Sequence, residues 1–168
     1  MTKPRRPIFT MMAALSVLWS LSSAHAEQAF QRFVPLMIDL DGWQGQKAEG
    51  LSMDMQDSTM TSVTRAYQRG SARLNAGIVI GPLAAGTLAP LQSGMNMQTS
   101  DGHLITTTWH GLQAIKSYNT PQKSGQFIIA LGKEAMFSLA YNDMTEDEAQ
   151  ALAEKFDWKA IQAASEKK

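Results

Sequence analysis

The stretch TSVTRAYQRGSARLNAGIVIG, Thr61 to Gly81, decides the fold. Val63, Arg65, Tyr67 and Arg69 alternate with Thr64, Ala66 and Gln68. Beyond Gly70-Ser71 the alternation resumes, with Leu74, Ala76, Ile78 and Ile80 set against Arg73, Asn75 and Val79. A period of two puts successive side chains on opposite faces of an extended strand. Glycine readily takes the positive φ that a tight primed turn requires, so two such runs around Gly70-Ser71 predict an antiparallel hairpin. Gly81-Pro82 ends it.

Downstream, Leu83 to Leu91 (LAAGTLAPL) is small and apolar and reads either as one short helix on the sheet, its length limited by Pro90, or as a loop. Four further strand patterns follow at His103 to Trp109, Leu112 to Tyr118, Gln126 to Leu131 and Ala135 to Tyr141, with turn residues at each bend. Ala135, Phe137, Leu139 and Tyr141 share one face of the last strand and face the core. Thr145-Glu146-Asp147-Glu148 is a capping box, so a helix is expected from Glu146 to about Lys155, with Asp157 capping a second short turn.

Upstream, Phe30, Phe33, Val34 and Met37 recur at helical spacing and predict a short amphipathic helix over Glu27 to Met37, closed near Gly42. From Gly42 to about Ser58 the chain is polar and Met-rich and reads as a loop or irregular edge strand. Met60 is expected in the core. The order predicts an α+β domain: an antiparallel sheet of about five to six strands, hairpin plus meander, with N-terminal and C-terminal helices packed on one face.

The first residues combine Lys3, Arg5 and Arg6, an apolar run from about Met11 to Leu21, and Ala24-His25-Ala26. This is the pattern of a secretory signal peptide cleaved after Ala26, leaving residues 27–168 as a single exported domain. The run is shorter than the roughly 20 apolar residues a membrane anchor needs. Arg5-Arg6 leaves the general and twin-arginine routes both open. With no cysteine in the chain, neither a disulfide nor a lipid anchor is available, so the domain must be held by its own core. Three of the 15 basic residues and none of the 15 acidic ones precede Glu27, which leaves 12 against 15 and a net charge of −3. That charge argues against nucleic acid or anionic lipid as the partner.

The order of a helix leading to DGW, the hairpin, a segment around GMNM, and then HGLQAIKSYNTPQKSGQFIIALGKEAMFSLAYNDMTEDEAQALAEKFDWKAI resembles small exported bacterial proteins of unknown function. Their layout is similar to the PsbP and Mog1 type of α/β sandwich. The resemblance spans nearly all of residues 27–168. It implies a fold and an accessory or assembly role, no reaction, and no site residues.

The residues argue against catalysis. There is no cysteine nucleophile, no G-x-S-x-G elbow, no H-E-x-x-H and no glycine-rich phosphate cradle. Ser100-Asp101-Gly102-His103 holds the residue types of a triad, but such groups meet in space rather than along the chain; the stretch reads as a polar turn. Asp39 and Asp41 lack the further acids of a calcium loop. Arg65, Arg69 and Arg73 straddle the hairpin, either as a small anion-binding patch or as a solvated strand face. Trp109-His110-Gly111 either lines a ligand pocket or sets a buried indole beside a turn.

Two Met-x-Met pairs remain, Met53 with Met55 and Met95 with Met97. Thioethers are soft ligands that select Cu(I), and an imidazole such as His103 or His110 can complete the set. Residues two apart on a strand point to one side, so each pair suits one ion. Methionine equally fills irregular apolar gaps and adapts to partner surfaces. The expectation is therefore a non-catalytic periplasmic binding or accessory protein, with another envelope protein as partner. The alternatives are a Cu(I)-binding protein using Met53, Met55, Met95, Met97 and His103, and a small-molecule carrier with its pocket between sheet and helices.

Overall fold

The hairpin forms where the alternation places it. In the computed structural model, which describes residues 29–56 and 58–166, β3 (Ser58–Arg69) and β4 (Ala72–Ile80) pair antiparallel from Arg69↔Ala72 to Thr61↔Ile80. Gly70 turns the corner at φ +61°, a conformation that costs glycine little. The signal-peptide reading of residues 1–26 and the first two residues of the expected N-terminal helix lie outside the described residues.

The remaining elements are β1 (Gln44–Gly45), β2 (Glu49–Met55), α1 (Pro82–Ser93), β5 (Met97–Thr99), β6 (Gly102–Trp109), β7 (Leu112–Asn119), β8 (Ser124–Gly132), β9 (Ala135–Asn142), α2 (Glu146–Ala153) and α3 (Trp158–Glu166). The protein is α+β, built on one antiparallel sheet. Among the described residues that sheet has nine strands, in the order β1-β3-β4-β9-β8-β7-β6-β5, with β2 also on β3. This corrects the expected five to six. The meander β6 to β9 matches its sequence pattern closely. β9 then returns to pair with β4 along its length, from Ile80↔Ala135 to Arg73↔Asn142, and so joins hairpin to meander.

The additional strands come from the polar Met-rich segments. Leu51, Met53 and Met55 alternate with Gly50, Ser52 and Asp54 along β2, which pairs with β3 over its whole length. No large apolar side chain marks its inner side, because Gly50 lies beneath the Phe30 ring and a Cβ there would overlap it. Met60 is half-buried rather than core: it sits directly across from Met53. Near the N-terminus residues 29–31 are helical as expected, but the helix does not continue to Met37: Val34–Leu36 is a 3₁₀ turn with proline in it.

Two apolar clusters cover the sheet. On one face, called here the major face, Phe33, Met37, Leu40, Val63, Tyr67, Phe127, Phe137, Leu139 and Tyr141 pack with Leu152, Phe156, Trp158 and Ile161. Trp158 anchors this side: its ring lies 4.8 Å from that of Phe137, and its Nε1 donates to the Ala153 carbonyl at 3.0 Å. On the opposite, minor face, Ala84, Leu88 and Leu91 of α1 pack on Ile115 and Met136. α1 runs three residues past Pro90. The carbonyl that proline leaves without its helix donor belongs to Gly86, an exposed residue.

The capping box is present at α2, where Thr145 Oγ1 accepts from the Glu148 N–H at 3.2 Å and Glu148 Oε2 accepts from the Thr145 N–H at 3.0 Å. Those bonds hold the Glu148 carboxyl below its ordinary pKa. Asp157 accepts from the Ala160 N–H at 2.9 Å and starts α3. Among the described residues, no helix is long and apolar enough to cross a membrane.

Candidate functional site

α1 covers only one end of the minor face. Toward the other end, direct cross-strand partners form a rung through Ala66, Asn75, Ala140, Gln126 and Ser117, crossing β3, β4, β9, β8 and β7. A shorter rung beside it runs Gln68, Arg73, Asn142. Such partners stand about 4.5–5.5 Å apart. The long rung alternates small and amide side chains, so the amides rise as walls and the alanines form a floor. Two adjoining depressions of about 620 and 440 Å³ occupy this surface, with Ala140 and Asn142 common to both. Gln44 and Gln46 wall one end. Among the described residues, Arg73 is the only charged one lining either depression. It is exposed and enters none of the five salt bridges among the described residues.

The same face carries the exposed large apolar side chains. Leu51, Met53, Leu83, Met95 and Met97 are 44–57% exposed. Leu51 and Met53 stand opposite Ser62 and Met60, which point away from buried Val63 on the major face. Met97 stands opposite Leu104, which packs beside α1. The Met95 carbonyl accepts from Thr106 Oγ1 at 3.0 Å, and Leu83 lies on α1 itself.

The metal set expected from the sequence is spread across the sheet. Met53 and Met55 lie on β2 at one edge, and Met97 lies on β5 at the other, with six strands between, roughly 30 Å along the sheet. His103 is the partner of Gln98, whereas Met97 is the partner of Leu104, so His103 and Met97 project from opposite faces. Among the described residues no three His, Asp or Glu side chains gather to hold a metal.

His103 belongs to a half-buried charge cluster on the major face. Its Nε2 lies 2.9 Å from Glu146 Oε2 without hydrogen-bond alignment, while Lys116 Nζ lies 2.5 Å from Glu146 Oε1. Lys116 also donates to Gln150 Oε1 at 3.4 Å and sits over the Phe127 ring. The cluster fastens the first turns of α2 to β6 and β7. Ser100 instead donates to Asp101 at 3.2 Å, so the triad-like stretch is not assembled as a triad. Sequence reading passed over Lys116, although its place between Ala114 and Tyr118 on one strand face was the available signal.

Nor do the three arginines share a surface. Arg65 lies among Val63 and Tyr67 on the major face, donating to the carbonyls of Met37 at 2.6 Å and Gln46 at 2.8 Å and pairing with Asp39. This corrects the reading of Arg65 as part of a solvated strand face. It also gives Asp39 a guanidinium as its partner. Arg69 covers the Trp43 ring and pairs with Glu148 at 3.6 Å, while Arg73 stands alone on the minor face. At the other candidate, His110 stacks on buried Trp158 and bonds Glu154 at 2.8 Å, closing the turn over the major-face core.

Tyr67 and Tyr141 complete that core. Burial pushes the Tyr67 phenol up to about 12, and its hydroxyl donates to the Ile38 carbonyl at 2.8 Å. Burial, with Glu146 and Tyr118 nearby, raises Tyr141 as well. Compared with known proteins, the chain matches no family model, no curated protein sequence and no solved structure.

Proposed function

We propose that this is a non-catalytic binding or accessory protein of the bacterial envelope, exported to the periplasm, and that it meets its partner with the minor face. The carrying observation is an asymmetry. Exposed Leu51, Met53, Leu83 and Met97 all lie on the face bearing α1, at its two edges and on α1 itself, while the other face is filled by the main core. Exposed apolar groups concentrated on one side of a small domain mark an interaction surface. Methionine suits such a surface because its unbranched, polarizable chain adapts to the shape it meets. An accessory role is also what the resemblance to PsbP-type layouts implies.

A photo-crosslinking residue placed at Leu83 or Met97 in growing cells tests this reading. Discrete adducts with an envelope protein are expected from both positions and none from Asp147, which is exposed at the start of α2. Equal labelling from Asp147, or no adduct from Leu83 and Met97, would overturn it.

A further inference from the structure

The paired rungs beside α1 define a ligand class. We infer that they bind an oligosaccharide bearing carboxylate groups, an inference that rests on the minor face being the binding face. A primary amide presents a donor and an acceptor side by side, which matches the dual character of sugar hydroxyls. Asn75 and Gln126 stand on either side of Ala140, and the missing side-chain bulk there leaves room for a ring between two amides. The long rung crosses five strands, roughly 19 Å, which suits a chain of several units rather than one small molecule.

Charge selects among such chains. Among the described residues Arg73 is the only cation in the lining and no acid opposes it there, so one carboxylate can take its planar fork bidentately. A lone guanidinium does not suit a polyphosphate or nucleic acid, which require several. An extended peptide is also a poor match. Peptides pair with sheet edges and seat alternate side chains in pockets, whereas this is the middle of a sheet floored with alanine.

The test is an amide NMR titration of the purified protein with three probes: a tetrasaccharide of uronic acid units, the same tetrasaccharide with its carboxyl groups reduced to alcohols, and tetraglutamate. The uronate is expected to shift the backbone amides of Asn75, Gln126, Ala140 and Asn142, and to bind at least tenfold more tightly than either other probe. Arg73→Gln should remove that preference while leaving the unfolding midpoint unchanged, since Arg73 is exposed. Ala140→Phe, which fills the floor, should block both saccharides. If Ala140→Phe fails to fold, Gln126→Ala replaces it, with binding weakened at least fivefold.

No shift with the uronate, tetraglutamate binding as tightly as the uronate, or uronate binding unaffected by Arg73→Gln would each overturn the inference. Crosslinks from Leu83 and Met97 that persist alongside such a result would leave the proposed interaction face standing, so the two failures are distinguishable.

Discussion

Arg65→Met removes a guanidinium while keeping most of its apolar stem, and the structure sets the cost. The bond to the Met37 carbonyl is half-buried, and a hydrogen bond to a charged group in that setting contributes about 1.5–3 kcal/mol. The bond to the Gln46 carbonyl is exposed and adds about 0.5–1 kcal/mol. Asp39 is 91% exposed, so its ion pair contributes little. The total is about 2–4 kcal/mol, which at a typical urea slope lowers the unfolding midpoint by roughly 1–2 M. Tryptophan fluorescence reads the transition, and limited proteolysis should show new cleavage near residues 37–48, the segment Arg65 ties down. Arg65→Lys should recover less than half of the loss, because an ammonium cannot span both carbonyls as the fork does. Asp39→Asn should cost no more than about 0.5 kcal/mol. A midpoint unchanged in Arg65→Met, or Asp39→Asn as damaging as Arg65→Met, would refute the reasoning.

Trp158→Ala should destabilise by about 3–5 kcal/mol, since the indole fills the space between Phe137 and Trp109 and caps Ala153; a loss below about 1 kcal/mol in urea would show that the site collapses freely. Gly50→Ala should cost about 1–3 kcal/mol, because the new Cβ displaces the Phe30 ring, and a wild-type midpoint would contradict the placement of that ring. Alkaline pH should weaken the fold. Burial favours the neutral phenol of Tyr67, so the unfolded chain ionises first, near pH 10, and stability falls from there until the folded group titrates at about 12. Tyrosinate absorbance should therefore lag in the folded protein, and normal titration of all three tyrosines near pH 10 would remove the effect.

The legible parts of the fold were those where period and burial agree. The hairpin, the four-strand meander and the capped α2 could be read because large apolar residues alternate with polar ones, or because Thr145 and Glu148 stand three apart. β2 escaped because its inner side is Gly50, Ser52 and Asp54, and the core contact at Gly50 comes from Phe30 rather than from the strand itself. β5 is only three residues long and wholly exposed. Arg65 was misread because charge outweighed position, although its neighbours at two-residue spacing, Val63 and Tyr67, are both buried. The rungs of the minor face were invisible for a different reason. Asn75, Gln126 and Ser117 are unremarkable surface residues until the pairing of β4, β9, β8 and β7 puts them in one row.

That pairing also governs how the chain reaches its fold. Ile80 and Ala135, partners at the β4–β9 seam, are separated by more than fifty residues, and every bond of the seam closes a loop containing α1 and most of the meander. Closing so long a loop carries an entropic cost before any contact repays it, and topologies of this kind fold slowly. Until β9 arrives, the open edge of β4 can pair with any other unfinished strand. The vulnerable period for aggregation therefore ends with the synthesis and docking of residues 135–142, and substitutions that slow this step should lower the yield of folded protein more than its final stability.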